Sequence, residues 1–422
     1  MEAKKRSRRD FIQNITITLL SLLAVVLFVR TQVYGRVLPA FSSLSGTAST
    51  TGTVTATETS GLTAPVRVAV SGSYGRYGSI TFTTASDGFS PLGSLLGEVL
   101  GTPLTCTETT QEELLTALQS PSVYYDFLQP LPLSVLAGFV GGMREDSISV
   151  RHLVLSAPEG TGVTLYLWDH GERFLRCTTA LSPTALEAVI GQYEQGSADF
   201  AFDTAERYGA LDVEPLSLFV TQTQLPVLSS TAASAASSRL LSTLGYNPHT
   251  QTRWIEASGT EVIVDGDRTL RIRSDGRVLY QSGGSTALQI TAAGEIPTLW
   301  EAASDVGTLL SKLLPEGSEG KLYLRSIKRS GSATTLTFDY QYNGIPILFS
   351  DGSAAAEVTL SGTAVANLSF TGRRYAAGDE TALLLPLQQA MAVAAQEAPG
   401  KELFIGYADY AAEQTAPQWL CG

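Results

Sequence analysis

Residues 241–280 read LSTLGYNPHTQTRWIEASGTEVIVDGDRTLRIRSDGRVLY, and the punctuation of this stretch decides the fold class. Runs rich in β-branched and aromatic residues fall at 254–257, 261–264, 269–272 and 278–281, and Asp265-Gly266 and Asp275-Gly276 supply hairpin turns between them. Upstream, residues 232–244 have the spacing of a helix that ends near the Asn247-Pro248 turn. Downstream the theme recurs. A helix over 299–314 leads into strands at 321–327, 333–342, 354–360 and 364–370, with Asn343-Gly344 and Asp351-Gly352 at turns. A helix followed by an antiparallel meander therefore occurs twice, through duplication or through shared turn chemistry alone. Each unit would bury its helix against one sheet face, which is an α+β arrangement.

The N-terminal half reads the same way. Strands are expected at 153–156, 163–168 and 174–178, then a helix over 182–193 opened by Ser182-Pro183. Ahead of them, 66–70 alternates like a strand, the glycine-punctuated stretch 72–78 is a loop, and 92–100 and 112–118 suit helices. Between these and the N-terminus lies SSLSGTASTTGTVTATETSGLT, residues 42–63. It has almost no large apolar side chains, so burial cannot offset its ordering entropy, and it reads as a flexible tether.

Residues 11–29, FIQNITITLLSLLAVVLFV, carry no charge and are bounded by Asp10 and Arg30. At ~1.5 Å per residue such a helix covers most of a hydrocarbon core ~30 Å thick. Lys4, Lys5, Arg6, Arg8 and Arg9 precede it, whereas Arg30 and Arg36 follow, so the positive-inside bias keeps the N-terminus in the cytoplasm. The rival is a cleaved signal ending near Val33-Tyr34-Gly35; the length of the apolar run and the lack of an Ala-x-Ala site favour retention. The expected fold class is thus α+β: an N-terminal transmembrane helix followed by several extracytoplasmic domains of helices packed on antiparallel meander sheets. Its divisions are a basic tail at 1–10, the membrane helix at 11–30, a linker at 41–64, a first α+β region at 65–225, a central helix-meander domain at 226–295 and a C-terminal one at 296–422.

Of 28 Lys/Arg and 40 Asp/Glu, six and two fall in residues 1–30, leaving 22 against 38 and a net of −16 beyond. No Lys/Arg cluster lies outside the tail, which argues against nucleic acid as a partner. Cys106, Cys177 and Cys421 are too few for a disulfide framework. One bridge between Cys106 and Cys177 fits, and an odd thiol is left over.

Catalytic constellations are incomplete. Ser318-Glu319-Gly320-Lys321 has Ser-x-x-Lys spacing but sits in a glycine-rich loop without its partner motifs. His170-Gly171-Glu172 lacks a following Pro-Cys-x-x-Cys, and His152 and His249 are distant in sequence. The 72–78 loop lacks the Gly-Lys-Ser/Thr ending of a phosphate loop, and the Asp-Gly pairs are turns rather than calcium loops. Trp254, Trp300, Trp419, Tyr340 and Tyr342 read as core or sheet-face residues. The expectation is a non-enzyme without cofactor or metal.

Residues 241–280 and FDYQYNGIPILF at 338–349 resemble the YycH/YycI family: the former a helix, an Asn-Pro turn and a D-G-x-R-x-L-x-I strand pair, the latter a Y-x-Y-x-G-x-P-I hairpin. The match in motif covers about 235–375. The resemblance implies a membrane-anchored regulator of a YycG (WalK)-like sensor histidine kinase that controls cell-wall metabolism, acting beside a YycI-like companion. Kinase contact would run through the external domains and the membrane helix, where Asn14, Thr18 and Ser21 form a polar stripe at helical spacing. The alternative is an envelope-binding protein or envelope enzyme with a site that spacing does not reveal.

Overall fold

Among the described residues, alternating side chains and glycine turns translate into three sheets. In the N-terminal half the elements are β1 (Arg67–Ser73), β2 (Arg76–Thr81), α1 (Ser90–Leu100), β3 (Thr105–Thr109), α2 (Gln111–Leu118), β4 (Ser122–Pro132), α3 (Leu133–Phe139) and β5 (Ser149–Ser156). There follow β6 (Thr164–Asp169), β7 (Arg173–Thr178), α4 (Pro183–Ile190), β8 (Ala198–Phe200), α5 (Ala201–Tyr208) and β9 (Leu218–Val220). Next come β10 (Gln224–Ala232), α6 (Ser238–Thr243), β11 (Thr252–Ile255), β12 (Glu261–Asp265), β13 (Arg268–Ile272), β14 (Arg277–Ser282) and α7 (Leu299–Leu313). The remainder is β15 (Lys321–Ser330), β16 (Ala333–Tyr342), β17 (Ile345–Phe349), β18 (Ala356–Ser361), β19 (Ala364–Thr371), β20 (Arg373–Leu383), α8 (Leu387–Glu397), β21 (Leu403–Asp409), β22 (Gln414–Thr415) and β23 (Pro417–Cys421).

This computed structural model describes residues 64–422 apart from 74–75, 82–88, 103, 140–147, 159–161, 170–172, 209–211, 221–223, 234–236, 248, 250, 285–286 and 292–293. The expected membrane helix with Asn14, Thr18 and Ser21, the tether at 42–63 and His170 lie outside the described residues. Among the described residues no helix is long and apolar enough to cross a membrane.

The first sheet has the order β3-β7-β6-β5-β4-β1-β2-β8-β9, the second β20-β10-β22, and the third β11-β12-β13-β14-β19-β18-β16-β17-β21-β23, with β15 added on β16. Pairing is antiparallel except between β17 and β21. The expected α+β class with antiparallel meanders is therefore what the chain adopts. The third sheet takes strands from both sides of residue 295, because β14 pairs with β19.

Local chemistry explains the helix starts. Ser182 accepts the Ala185 N–H and Pro183 opens α4. At α7, Thr298 and Glu301 exchange side-chain and backbone hydrogen bonds in a capping box. Ala302, Ala303, Val306 and Leu310 form its buried stripe and join one apolar cluster with Leu336 and Phe338 of β16 and Leu136 of α3. The helix expected at 232–244 is shorter: α6 begins at Ser238, capped by Ser237, because β10 continues to Ala232 and pairs it with Arg373. Tertiary pairing outweighs the helix preference of its alanines. At Asn343-Gly344 both residues have positive φ, 47° and 80°, as a tight hairpin between β16 and β17 requires. β20, α8 and β21 to β23 have no counterpart among the sequence expectations.

Cys106 and Cys177 face each other across β3 and β7 and form a disulfide, while Cys421 is free and exposed.

Candidate functional site

β1, β4 and β5 are neighbours, and their register sets Arg67 opposite Asp126 and Asp126 opposite His152. Opposed residues of antiparallel strands share a face, so three polar side chains stand in one row. A buried charge is tolerated only when paired. Asp126 is fully buried, and both its oxygens are taken. Oδ2 accepts from Nε of Arg67 at 3.0 Å, from its Nη2, and from Nη2 of Arg151 at 3.2 Å. Oδ1 accepts from Nε of Arg151 at 2.9 Å and from the Leu128 N–H at 2.7 Å. Glu402, immediately before β21, accepts from Nη1 and Nη2 of Arg151 at 2.5 and 2.8 Å and from Nη2 of Arg67 at 3.3 Å. Two guanidinium groups thus balance two carboxylates, and the four side chains tie the first sheet to the third.

A break in β4 makes this possible. Its pairing with β5 skips from Asp126 to Leu131, and Leu128 adopts φ 63°. The left-handed region costs a leucine about 1–2 kcal/mol. The Asp126 carboxylate offsets that by holding the Leu128 N–H, and the leucine side chain is buried with Val66 and Tyr323.

The electrostatics follow from burial and partners. Burial acts to raise the Asp126 carboxyl, but Arg151 and Arg67 outweigh it and hold it well below the ordinary carboxylate range. Glu402 is lowered in the same way, against burial, by Arg151 and then Arg67. His152 lies between the rings of Tyr124 and Trp168, with centroids 5.3 and 5.6 Å away. Burial, reinforced by Arg151, pushes its imidazole down to about 3, so it is neutral at pH 7. Neither ring nitrogen has a hydrogen-bond partner among the described residues, and Nε2 stands 3.6 Å from Asp126 Oδ1.

Beside this knot is a cleft of about 560 Å³. Arg151, His152 and Glu402 border it, Leu128 and Pro130 of the β4 break form one apolar wall, and Leu348 and Phe349 of β17 another. Glu214 also lines it, its carboxyl raised by burial and its Oε1 buried without a partner among the described residues. At pH 7 Asp126 and Glu402 are thus ionised against arginines and His152 is neutral, while Glu214 is the cleft carboxyl that holds its proton more tightly than usual.

A second buried network lies where the second sheet meets β21. Asp409 Oδ2 accepts from the Tyr375 hydroxyl at 2.6 Å and Ser230 Oγ at 3.2 Å and forms an ion pair with Arg373, 2.8 Å from its Nε, which donates to Ser230 Oγ at 2.9 Å. Its Oδ1 accepts the Ala411 N–H at 2.7 Å, and Ala411 has φ 59°. Arg373 is completed by the Ala412 carbonyl at 3.0 Å.

The residues singled out in the sequence lie elsewhere, with one exception. His152 enters the first knot; His249 is exposed. Ser318 Oγ accepts the Tyr375 N–H at 3.2 Å, and Lys321 starts β15. Residues 72–78 mostly extend the β1–β2 hairpin rather than forming a loop. Tyr340 is buried and donates to the Thr371 carbonyl, Tyr342 packs edge-on against Tyr407, Trp419 donates to the Leu385 carbonyl, and Trp254 is 45% exposed on the edge strand β11. Among the described residues no three His, Cys, Asp or Glu side chains are grouped to hold a metal ion. Arg67, Asp126, Arg151 and Glu402 escaped the sequence reading because they are 59, 25 and 251 residues apart in their pairings, without any spacing rule. The comparisons with known proteins return nothing: no family model, no curated protein and no solved structure matches this chain.

Proposed function

We propose that this chain is a non-enzymatic, single-pass membrane protein that regulates a two-component sensor histidine kinase of the YycG (WalK) type and thereby cell-wall metabolism. Its N-terminus is cytoplasmic, residues 11–30 span the membrane, and the bulk of the chain works outside, beside a YycI-like companion. The observation that carries the reading is the uncharged run at 11–29 behind a basic tail, followed by a Ser/Thr/Gly tether and an acidic body. Three features support it. The stretches that carry the resemblance form an antiparallel meander, β11 to β14, and the β16–β17 hairpin. A Cys106–Cys177 disulfide suits an oxidising compartment rather than the cytoplasm. The most deeply buried carboxylates, Asp126 and Asp409, are engaged by arginines that join sheets, a structural use of groups that an acid–base enzyme would leave available.

Mechanistically, regulation requires that the protein bind one kinase state more tightly than the other, since equal affinity shifts no population. Asn14, Thr18 and Ser21 would supply hydrogen bonds to a neighbouring membrane helix, and the external body a second contact. The test is purification of the crosslinked full-length protein from its native membrane, beside a version in which residues 1–30 are replaced by an unrelated anchor. Recovery of a sensor histidine kinase, weakened by the swap, is the expected result. Absence of a kinase from both samples sinks the proposal and favours an envelope-binding role.

A further inference from the structure

The cleft beside the first knot does not end there. A second depression of about 690 Å³ shares Gln129, Pro130, Arg325, Gly352 and Ser353 with it. Together they make one groove, apolar at the Leu348 and Phe349 end and polar at the other. The floor of the polar end is a cross-strand row on the outer face of the third sheet. Ser326 pairs with Thr337, Thr337 with Glu357, and Glu357 with Ser369. Hydroxyls in such a row can both donate to and accept from a ligand's amide groups.

Charge is distributed against the trend of the chain. The body beyond residue 30 has a net of −16, yet Arg277, Arg325 and Lys328 converge on this floor from three strand positions with Glu357 as the facing carboxylate. Arg277 reaches Asp351 only at 4.0 Å, and its Nε is buried without a partner among the described residues. Arg325 lies 3.5 Å from Asp339 and keeps 41% of its side chain exposed. Lys328 is exposed. Three cations against one carboxylate line this end, and although Asp351 and Asp339 stand beside the two arginines, the lining favours an anionic ligand. The apolar end narrows the choice, since Pro130, Leu348 and Phe349 gain nothing from a polyol phosphate but bury aliphatic or aromatic side chains.

We infer that this groove is a docking site for an extended acidic peptide segment of a partner protein, with an apolar side chain in the cleft and carboxylates over Arg277, Arg325 and Lys328. The inference goes beyond the kinase proposal, because the groove chemistry does not depend on which protein carries the segment.

The test uses the full-length chain in detergent micelles and a fluorescein-labelled peptide, Leu-Phe-Asp-Glu-Asp-Glu-Gly-Gly, followed by fluorescence polarisation. Binding is expected, and it should weaken with added salt as the charges are screened. Lys328→Glu should weaken it about tenfold, as should Arg325→Gln, the scale of one lost charge contact. Lys328 is exposed, so its variant should melt like the parent and isolate binding from folding. A version of the peptide with lysines in place of its acids should not bind, and a glycerol-phosphate polymer should compete poorly. The inference is overturned if the acidic peptide fails to bind, if Lys328→Glu leaves its affinity unchanged, or if the polymer displaces it as well as unlabelled peptide does.

Discussion

Two of the buried aspartates, Asp126 and Asp409, begin with one device and finish differently. Asp126 and Asp409 each hold the N–H two residues ahead, and each keeps that residue, Leu128 or Ala411, at positive φ. At Asp409 the other oxygen accepts from two hydroxyls and is paired in charge with one arginine, whose own N–H groups go to the Ser230 hydroxyl and a carbonyl, so the network is closed. At Asp126 two arginines and Glu402 share the charge, and His152 stands against them with both nitrogens unpartnered at the edge of a cleft. The closed network holds the second sheet against β21. The open one joins sheets and also borders a surface that can receive a ligand.

That contrast predicts unequal costs. Asp126→Ala leaves two buried guanidinium groups with Glu402 alone to balance them and frees the strained Leu128 turn, so it should lose about 5 kcal/mol in urea unfolding, the upper end for breaking a buried pair. Equal losses from Asp126→Ala and Asp409→Ala would erase the distinction. Acidification should expose the open network next. His152 titrates at about 3 when folded and near 6.5 when unfolded, so between these values the unfolded chain binds the extra proton. Stability therefore falls as pH falls, by about 1.4 kcal/mol per unit, or about 3 kcal/mol from pH 6.5 to 4. The Asp126 and Glu402 contributions have the same sign but a lower window: their depressed values keep them fully present at neutral pH, and they are lost as pH falls from the ordinary carboxylate range downward. Thermal melts across this range would separate the two windows.

Asp409→Ala should cost about 3 kcal/mol, since one arginine is orphaned and hydroxyls remain to solvate it. The smallest effect is expected from His152→Phe, which removes two unpartnered nitrogens while keeping a ring between Tyr124 and Trp168. At pH 7.5 its stability should lie within about 1 kcal/mol of the parent, and the slope between pH 6.5 and 4 should disappear. A persistent slope would mean that another group carries the acid sensitivity.

Much of the fold was legible because its signals are local. Ser182-Pro183 and the Thr298 capping box mark helix starts within a few residues, and Asn343-Gly344 names its own turn. The 232–244 helix misled because Ala232 pairs with Arg373, a partner that lies far along the chain. The candidate site was almost illegible for the same reason. Only His152 drew notice in the sequence, and for a metal-ligand role rather than for its neutral place in an aromatic stack. The absence of a Lys/Arg cluster in the sequence outside the tail also hid the groove, since Arg277, Arg325 and Lys328 gather only when β14 and β15 join one sheet.

By itself the sequence determined what depends on neighbours along the chain: the period of the central meander strands, the Ser182-Pro183 helix start, the hairpin turns and the separation of a basic apolar start from an acidic body. The tertiary structure alone decided which strands meet across the sheet boundaries, which arginines find Asp126 and Asp409, and where cations collect. Those outcomes rest on burial and long-range pairing, because a charge withdrawn from water must find its partner wherever the fold brings one within reach.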